Sequence, residues 1–496
     1  MACDKEVANV EWRIKVEEDD TLKRKLVGCM WAVTAGVALK LCMFVKKAWE
    51  LGLNDPRKFI HCLKVGIALS AVSIFYYWKP LNDGVGGNAM WAVMTVVVVF
   101  EYTAGATICK TVNRMCGTSL AGFLAIGVHW VASRGGEQLE PIIIGVSLFL
   151  LASAATFSRF IPTIKARFDY GAMIFILTFC LVSISGYRVD ELLDMAQYRM
   201  FTVIIGSILC IIVSVTIRPI WAGFELFVLV TGNLDKLANS LQCCVSQYFG
   251  GSEAPEAEND EVSDKKLLGY KCVLGSKATE ESMANLARWE PAHGRFNFRH
   301  PWRQYVKIGA SMRSCASCLD ALIGCINSDN KASDEMKKNM SSISMKVGAN
   351  CASVIRELAT TMRNMTKSSK LDILVTEMNS DAQELLGFLS SYPNMVNAPS
   401  HNAKLSTQTE TAPSDVPLAA KVEIPLMQII QVVTVASLLI EIVSRMEGIV
   451  EAVEELSDLA NFQPEMSVKS KQHSADSKIS PDQQNAEEAD TTLQMV

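Results

Sequence analysis

The chain has 496 residues, 50% of them hydrophobic and 20% charged, with a formal net charge of −5. That composition is too apolar for an ordinary soluble enzyme, and no Lys/Arg block with interleaved aromatics marks a nucleic-acid surface. The 15 cysteines are scattered, many inside apolar runs, as at Cys29, Cys42, Cys180 and Cys210, and read as reduced core hydrophobes.

The first apolar run, 26–45, is flanked by Lys23, Arg24 and Lys25 before it and by Lys46 and Lys47 after it. Lys40 interrupts it, so the unbroken stretch is shorter than the ~20 residues a span needs. Residues 1–54 therefore read as an N-terminal cytosolic or interfacial amphipathic segment, neither a cleaved signal nor a seventh span.

Six apolar windows follow, at 59–78, 89–108, 120–132, 142–157, 172–184 and 201–217, joined by short connections. Several are short for a span, so they must tilt, thin the bilayer or borrow polar flanks. The expectation is an all-α polytopic membrane protein, with six transmembrane helices in 55–222 and a cytosolic helical bundle in 223–462. Arg57, Lys58, Lys110, Arg114, Arg159, Lys165, Arg167 and Arg218 fall on one side of these windows; Lys79, Arg134, Arg188 and Arg199 fall on the other. Cytoplasmic loops collect Lys and Arg, which makes both termini cytosolic.

Charges inside the windows carry the most information, because each costs several kcal/mol unless it faces water or a partner. Glu101 falls near the middle of the second window, with Lys64 and His129 as its candidate partners, and Gly105 four residues on admits close approach or a bend. Arg114 and Arg199 have no acid at neighbouring helical positions and stand at opposite ends of their spans. Permanently charged forked donors of this kind attract anions and match carboxylates; the competing reading is a positive-inside residue and a snorkelling residue. The outer loops carry Asp83, Asp190, Glu191 and Asp194, whose clustered carboxylates suit a hard cation or a simply solvated acidic face.

Beyond Trp221, helical patterns recur at 224–247, 303–327, 334–366, 370–392 and 423–460, with polar stretches at 250–264 and 393–417. The run 424–443 is apolar enough to raise a span, yet Gln428, Gln431 and Glu441 favour a buried bundle helix. Residues 463–496 are polar and Ser/Gln-rich and read as a disordered tail. Catalytic motifs are lacking: 269–277 has the wrong spacing for a phosphate loop, and Cys315 with Cys318 lacks the second pair that a zinc site needs. Asn339 and Asn364 begin sequons that would carry sugar only if this half were luminal.

Longer strings then bring a family into view: Asn88-Ala-Met-Trp-Ala-Val through Phe100-Glu101, Phe168-Asp-Tyr-Gly, Ile174 to Phe179, Pro219-Ile-Trp-Ala-Gly223, Trp289-Glu-Pro-Ala-His-Gly-Arg-Phe296 and Arg299-His-Pro-Trp-Arg303. Together they resemble the plant aluminium-activated malate transporter family, over about 55–462. The resemblance implies a homodimeric anion channel with six membrane helices per subunit, passing malate and, in various members, chloride, nitrate or sulfate. It implies no enzyme chemistry and no resident cofactor, with membrane lipid and small anions as partners and no nucleic acid, and the plasma membrane is favoured over the vacuolar membrane.

The resemblance further implies that Arg114 and Arg199 line the anion pore and that Trp289, Glu290 and Pro291 form a cytosolic motif of structural or regulatory role. It makes Asp83, Asp190 and Asp194 candidate ligands of external Al³⁺ as an activator. Trp221-Ala-Gly-Phe-Glu-Leu-Phe227 departs from the family's W-A-G-x-D-L-H, which puts inhibition by γ-aminobutyrate in doubt. The alternative function is a proton-coupled exporter of organic or aromatic acids, with Glu101 and His129 as proton carriers; a third is a non-transporting membrane scaffold.

Overall fold

A computed structural model describes residues 20–77, 89–136, 138–185, 189–250, 260–297, 299–328, 334–396 and 426–464. Its first helix, α1 (Asp20–Asn54), runs unbroken through Lys40, and its described apolar side chains, Trp31, Phe44 and Trp49 among them, are exposed. Six helices then match the six apolar windows in order: α2 (Pro56–Tyr77), α3 (Ala89–Val99), α4 (Ala104–Arg134), α5 (Glu140–Ser158), α6 (Pro162–Ser185) and α7 (Val189–Thr216). Among the described residues, α4, α5, most of α6 and the Gln197–Thr216 part of α7 are long and apolar enough to cross a membrane; Met90–Val99 is a shorter apolar helix. Arg57, Lys58 and Lys64 make α2 more polar.

One boundary differs from the sequence reading. The second window was expected to continue to about 108 and the next to begin at 120, but the helix breaks at 100–103 and α4 starts at Ala104. The cause is capping, which hydropathy does not register. Thr103 is extended, with φ −100° and ψ 149°, and its hydroxyl accepts from the Ala106 amide at 3.3 Å. The Glu101 amide donates to Thr107 Oγ1 at 3.0 Å, and the Ala104 amide donates to the Ile220 carbonyl at 2.8 Å. The polar stretch 109–119, which reads as a loop, is thereby the middle of a 31-residue helix.

Small residues set the packing of these helices. A Cβ on Gly117 would lie 2.6 Å from the Gly171 carbonyl, so α4 and α6 approach backbone to backbone. Ala121, Ala125, Phe175, Phe179 and Val182 continue that contact, while Ala68, Val72, Ala92, Val96 and Val213 join α2, α3 and α7. At the α5–α6 corner Arg159 grips Asp169 with two parallel bonds, 2.7 Å and 3.2 Å long. None of the residues of α5 is buried, as expected of a helix that turns its apolar surface to lipid or to another subunit.

The chain turns at Ile217–Trp221 into a helical body: α8 (Ala222–Phe249), α9 (Asp260–Leu267), α10 (Tyr270–Leu274), α11 (Lys277–Ala287), α12 (Trp302–Ile326), α13 (Asp334–Asn364), α14 (Leu371–Val396) and α15 (Leu426–Leu459). The five long ones follow the periodic patterns of the sequence; the short α9, α10 and α11 carry too few turns for a period to show. A two-residue parallel pair, β1 (Thr366–Lys367) with β2 (Gln463–Pro464), adds a trace of strand to the all-helical fold, its second half lying where the polar tail was expected to begin. Leu226, Val230, Tyr305, Met312, Val347, Leu358, Leu439 and Met446 share one continuous core. Inside it lies a charge pair: the Glu280 carboxylate accepts from Arg313 Nη1 at 2.6 Å and from Ser276 Oγ at 2.6 Å. Cys315 packs against Met446 with its thiol pushed up to about 12 by burial, which leaves it an inert hydrophobe.

Candidate functional site

Because α4 begins at Ala104, Arg114 lies about 15 Å along it, inside the helix and not in the connection that the apolar windows left between 108 and 120. It is 6% exposed; Nη1 donates to Tyr170 Oη at 3.2 Å, and Nε has no partner. Arg199 on α7 is 8% exposed, its guanidinium 3.9 Å above the Trp91 ring of α3. Among the described residues no acid pairs with either arginine. A cavity of about 480 Å³ opens beside Arg199, lined in part by Thr118, Ser119, Thr178 and Gln197.

Thr107, Thr111, Arg114 and Thr118 recur at helical spacing on the buried face of α4, opposite buried Thr202, Ser207 and Ser214 of α7. The Thr111 and Ser207 hydroxyls have no hydrogen-bond partner. Buried polar atoms are almost always satisfied, so these two idle hydroxyls beside two cations without an acid partner call for water or anions between the helices. The threonine periodicity was visible in the sequence but escaped a search aimed at charge. Trp91 and Tyr170 were also missed, because a cation–π platform and a phenol donor have no linear signature.

The remaining membrane charges do not meet as expected. Glu101 pairs with Lys110 of α4, Lys64 Nζ donates to the Arg218 carbonyl at 2.8 Å, and His129 Nε2 lies 3.9 Å from Glu140 Oε1. The break at 100–103 is the reason: it puts Glu101 at the start of α4, whereas His129 stands about 37 Å further along the same helix. The relay required by the exporter alternative is therefore not assembled.

Trp289, Glu290 and Pro291 follow α11, and the glutamate reaches back to the membrane helices. Glu290 is 6% exposed; its Oε1 accepts from the Ala222 amide at 2.6 Å and the Gly105 amide at 3.2 Å, and its Oε2 from the Gly223 amide at 3.0 Å. One carboxylate thus caps the first turns of α4 and α8 together, where unpaired amides and both helix dipoles favour a negative charge. Burial pushes its pKa up, opposed by the three amides and by His293. Packing leaves no slack: a Cβ on Gly105 would come within 2.5 Å of the Leu286 carbonyl, and one on Gly223 within 2.4 Å of the Trp302 ring. His293 stacks on Trp221 with centroids 4.1 Å apart, and its Nδ1 lies 2.8 Å from the Pro291 carbonyl oxygen. Trp289 is partly buried and Pro291 exposed, so the glutamate makes the cross-link.

Of the candidate aluminium ligands, Asp83 lies outside the described residues. Asp190 and Asp194 sit one turn apart in the first turns of α7, their side chains outside the described set. Among the described residues no three His, Cys, Asp or Glu side chains gather as a metal site.

The comparisons with known proteins agree with one another. The profile described as "Aluminium activated malate transporter" matches residues 49–423 and 405–457. The chain is 49% identical over 485 residues to aluminum-activated malate transporter 10 of Arabidopsis thaliana, covering 92% of this chain and 95% of the relative. Identity is 42% over 423 residues to transporter 2 of the same plant, covering 85% and 79%, and 38% over 459 residues to transporter 1 of Triticum aestivum, covering 90% and 92%. Apolar helices long enough to cross a bilayer, buried unpaired arginines between them and likeness along nearly the whole length lead to one conclusion: the chain belongs to the aluminium-activated malate transporter family of membrane transport proteins.

Proposed function

We propose that this protein is a malate-permeable anion channel that also passes small inorganic anions. The observation that carries the reading is the pair of buried arginines, Arg114 and Arg199, without an acid partner among the described residues and beside unpaired hydroxyls. Their charge and the Thr111 and Thr118 hydroxyls replace part of the hydration shell of a carboxylate, while two separated sites of modest strength let it leave again. Trp91 and Tyr170 hold the two guanidinium groups in place and, being neutral, leave the charges available to the anion.

In this reading α2 to α7 are the six spans, both termini and the helical body from 223 to 462 are cytosolic, and two copies of the chain assemble, with α5 and other apolar surfaces meeting lipid or the second copy. The protein works in the plasma membrane. External Al³⁺ acts as activator through Asp190 and Asp194 with Asp83, hard oxygen donors whose chemistry suits a small trivalent cation. The names of the related transporters support the malate and aluminium parts of the proposal.

Purified protein in planar bilayers provides the test. The reversal potential should follow the malate gradient and ignore a pH gradient, and Arg114→Gln and Arg199→Gln should each cut malate current about tenfold or more, as removal of one permanently charged contact worth at least ~1.4 kcal/mol requires. Normal currents from both variants would end the mechanism. Sugar attached at Asn339 or Asn364 in cells would overturn the topology.

A further inference from the structure

Positive charge gathers at a second place, outside the path between α4 and α7. A cavity of about 500 Å³ lies where α11 ends and α12 begins, and Arg288, Arg299 and Arg303 line it, with the imidazoles of His293 and His300 beside them. Among the described residues Arg288 and Arg303 have no ion-pair partner. Arg167 of α6 and Arg303 both press on Arg288, which together with burial lowers its pKa. The Glu290 carboxylate on the wall is held by three amides and lies 3.9 Å from His293 Nε2, so its single charge offsets only part of a cluster of three arginines. Two further features point the same way. Arg299 holds a φ of +68°, a left-handed backbone that costs a non-glycine residue ~1–3 kcal/mol and persists where a site requires it. The 25-residue α12 starts at the cavity without a side-chain cap, adding the positive end of its dipole.

We propose that this cavity binds a multiply charged phosphate ester, gripped by the guanidinium forks of Arg288 and Arg303 at the start of α12. Three guanidinium groups converge on one volume. A phosphate monoester brings about two charges and three acceptor oxygens on a single atom, whereas a carboxylate brings one charge and two oxygens. The inference rests on the topology proposed above, which sets the cavity at the cytosolic mouth of the helices. There the phosphates can come from a soluble inositol phosphate or from the headgroup of an inner-leaflet lipid. A ligand held there touches the segment that carries Glu290, and through it the start of α4.

Full-length protein in detergent, titrated with inositol hexakisphosphate by calorimetry, tests the soluble source. Phosphatidylcholine nanodiscs with and without phosphatidylinositol bisphosphate, read by native mass spectrometry, test the lipid source. Saturable binding in either arm is expected, weakened about tenfold or more in the Arg288→Gln/Arg303→Gln double variant and by less in Arg303→Lys, which keeps charge but loses the fork. Both positions are exposed enough for the variants to fold, and an unchanged thermal profile verifies that. Absence of binding in both arms, or equal affinity in the folded double variant, overturns the proposal. Displacement by malate at the concentration that inorganic phosphate needs would reassign the site to carboxylates and overturn it too. Arg114→Gln should bind the probe normally, so loss of malate conduction and loss of this site are read separately.

Discussion

Replacing Glu290 with alanine leaves three buried amides, those of Gly105, Ala222 and Gly223, without the acceptor they now share. An unsatisfied buried donor costs ~1–3 kcal/mol, so the gross loss is about 3–9 kcal/mol. Part of it is offset because a carboxylate whose pKa is raised by burial also sheds a desolvation penalty. A net loss of about 3–5 kcal/mol remains, comparable to breaking a buried charge pair. For a helical body of this size that corresponds to a fall in melting temperature of roughly 6–20 °C. Glu290→Gln keeps one acceptor oxygen but turns an NH₂ group towards the amides, and should lose about 1–3 kcal/mol. Hydrogen exchange read by mass spectrometry locates the effect: amides in the first turns of α4 and α8 should lose protection in both variants, and those in the middle of α13 should not. The pH dependence has a definite sign. A carboxyl whose folded pKa lies above its unfolded value stabilises most below the unfolded value and loses that contribution as pH rises through the folded one, so acidification towards the usual carboxyl range should widen the stability gap between wild type and Glu290→Gln. Unchanged protection at both helix starts would refute the double-cap reasoning, whereas a gap that narrows on acidification would show that the three amides outweigh burial.

Three further perturbations probe the same junction and the body beneath it. Arg313→Ala strands the Glu280 carboxylate, whose side chain is fully buried, and should destabilise by about 3–5 kcal/mol in thermal unfolding, with Arg313→Met/Glu280→Leu recovering most of the loss. Burial and the nearby His293 lower the His300 pKa to about 4; a depressed value means stability present above pH 6.5 and lost as pH falls towards 4, up to ~3 kcal/mol. His300→Gln should flatten that part of the pH–stability curve measured by scanning fluorimetry. Gly105→Ala drives a methyl against the Leu286 carbonyl and should reduce malate current without touching Arg114, by about threefold or more for a strain of ~1 kcal/mol.

What was legible in the sequence follows from which forces act locally. The long amphipathic helices of the second half announce themselves because one face must be buried along many turns, and α8, α12, α13, α14 and α15 fall within a few residues of their patterns. Arg114 and Arg199 stood out because unpaired charge in an apolar run has few explanations. The break at 100–103 did not, since it depends on Thr103, Thr107 and the distant Ile220 carbonyl, none of which changes mean hydropathy. Misplacing that break put Arg114 in a connection instead of inside α4 and matched Glu101 with the wrong partners. Glu290 was visible as part of a motif, but its partners lie 185 and 68 positions away in sequence, so its structural role could be read only after folding.

The same geometry argues for mechanical coupling between the helical body and Arg114. Gly105 and Arg114 stand on one uninterrupted helix, about 14 Å apart along its axis, and α4 has its hydrogen-bonded ladder intact between them. A helix of that length is stiff, so an axial or tilting displacement imposed at Gly105 reaches Arg114 nearly undiminished. Glu290 imposes it, because its carboxylate is tied to α4 and to the first turn of α8 at once, while Ala104 is tied to Ile220 just before α8. Tyr170, which holds Arg114, belongs to α6, and Asn113 of α4 donates to the Arg167 carbonyl at 2.9 Å on that same helix. Motion of α4 against α6 therefore changes the seat of Arg114 directly. Arg167 of α6 lies close enough to Arg288 for the two charges to repel, so a polyanion bound in the proposed arginine cavity would act on the helix that seats Arg114, a route that needs no rearrangement of the core.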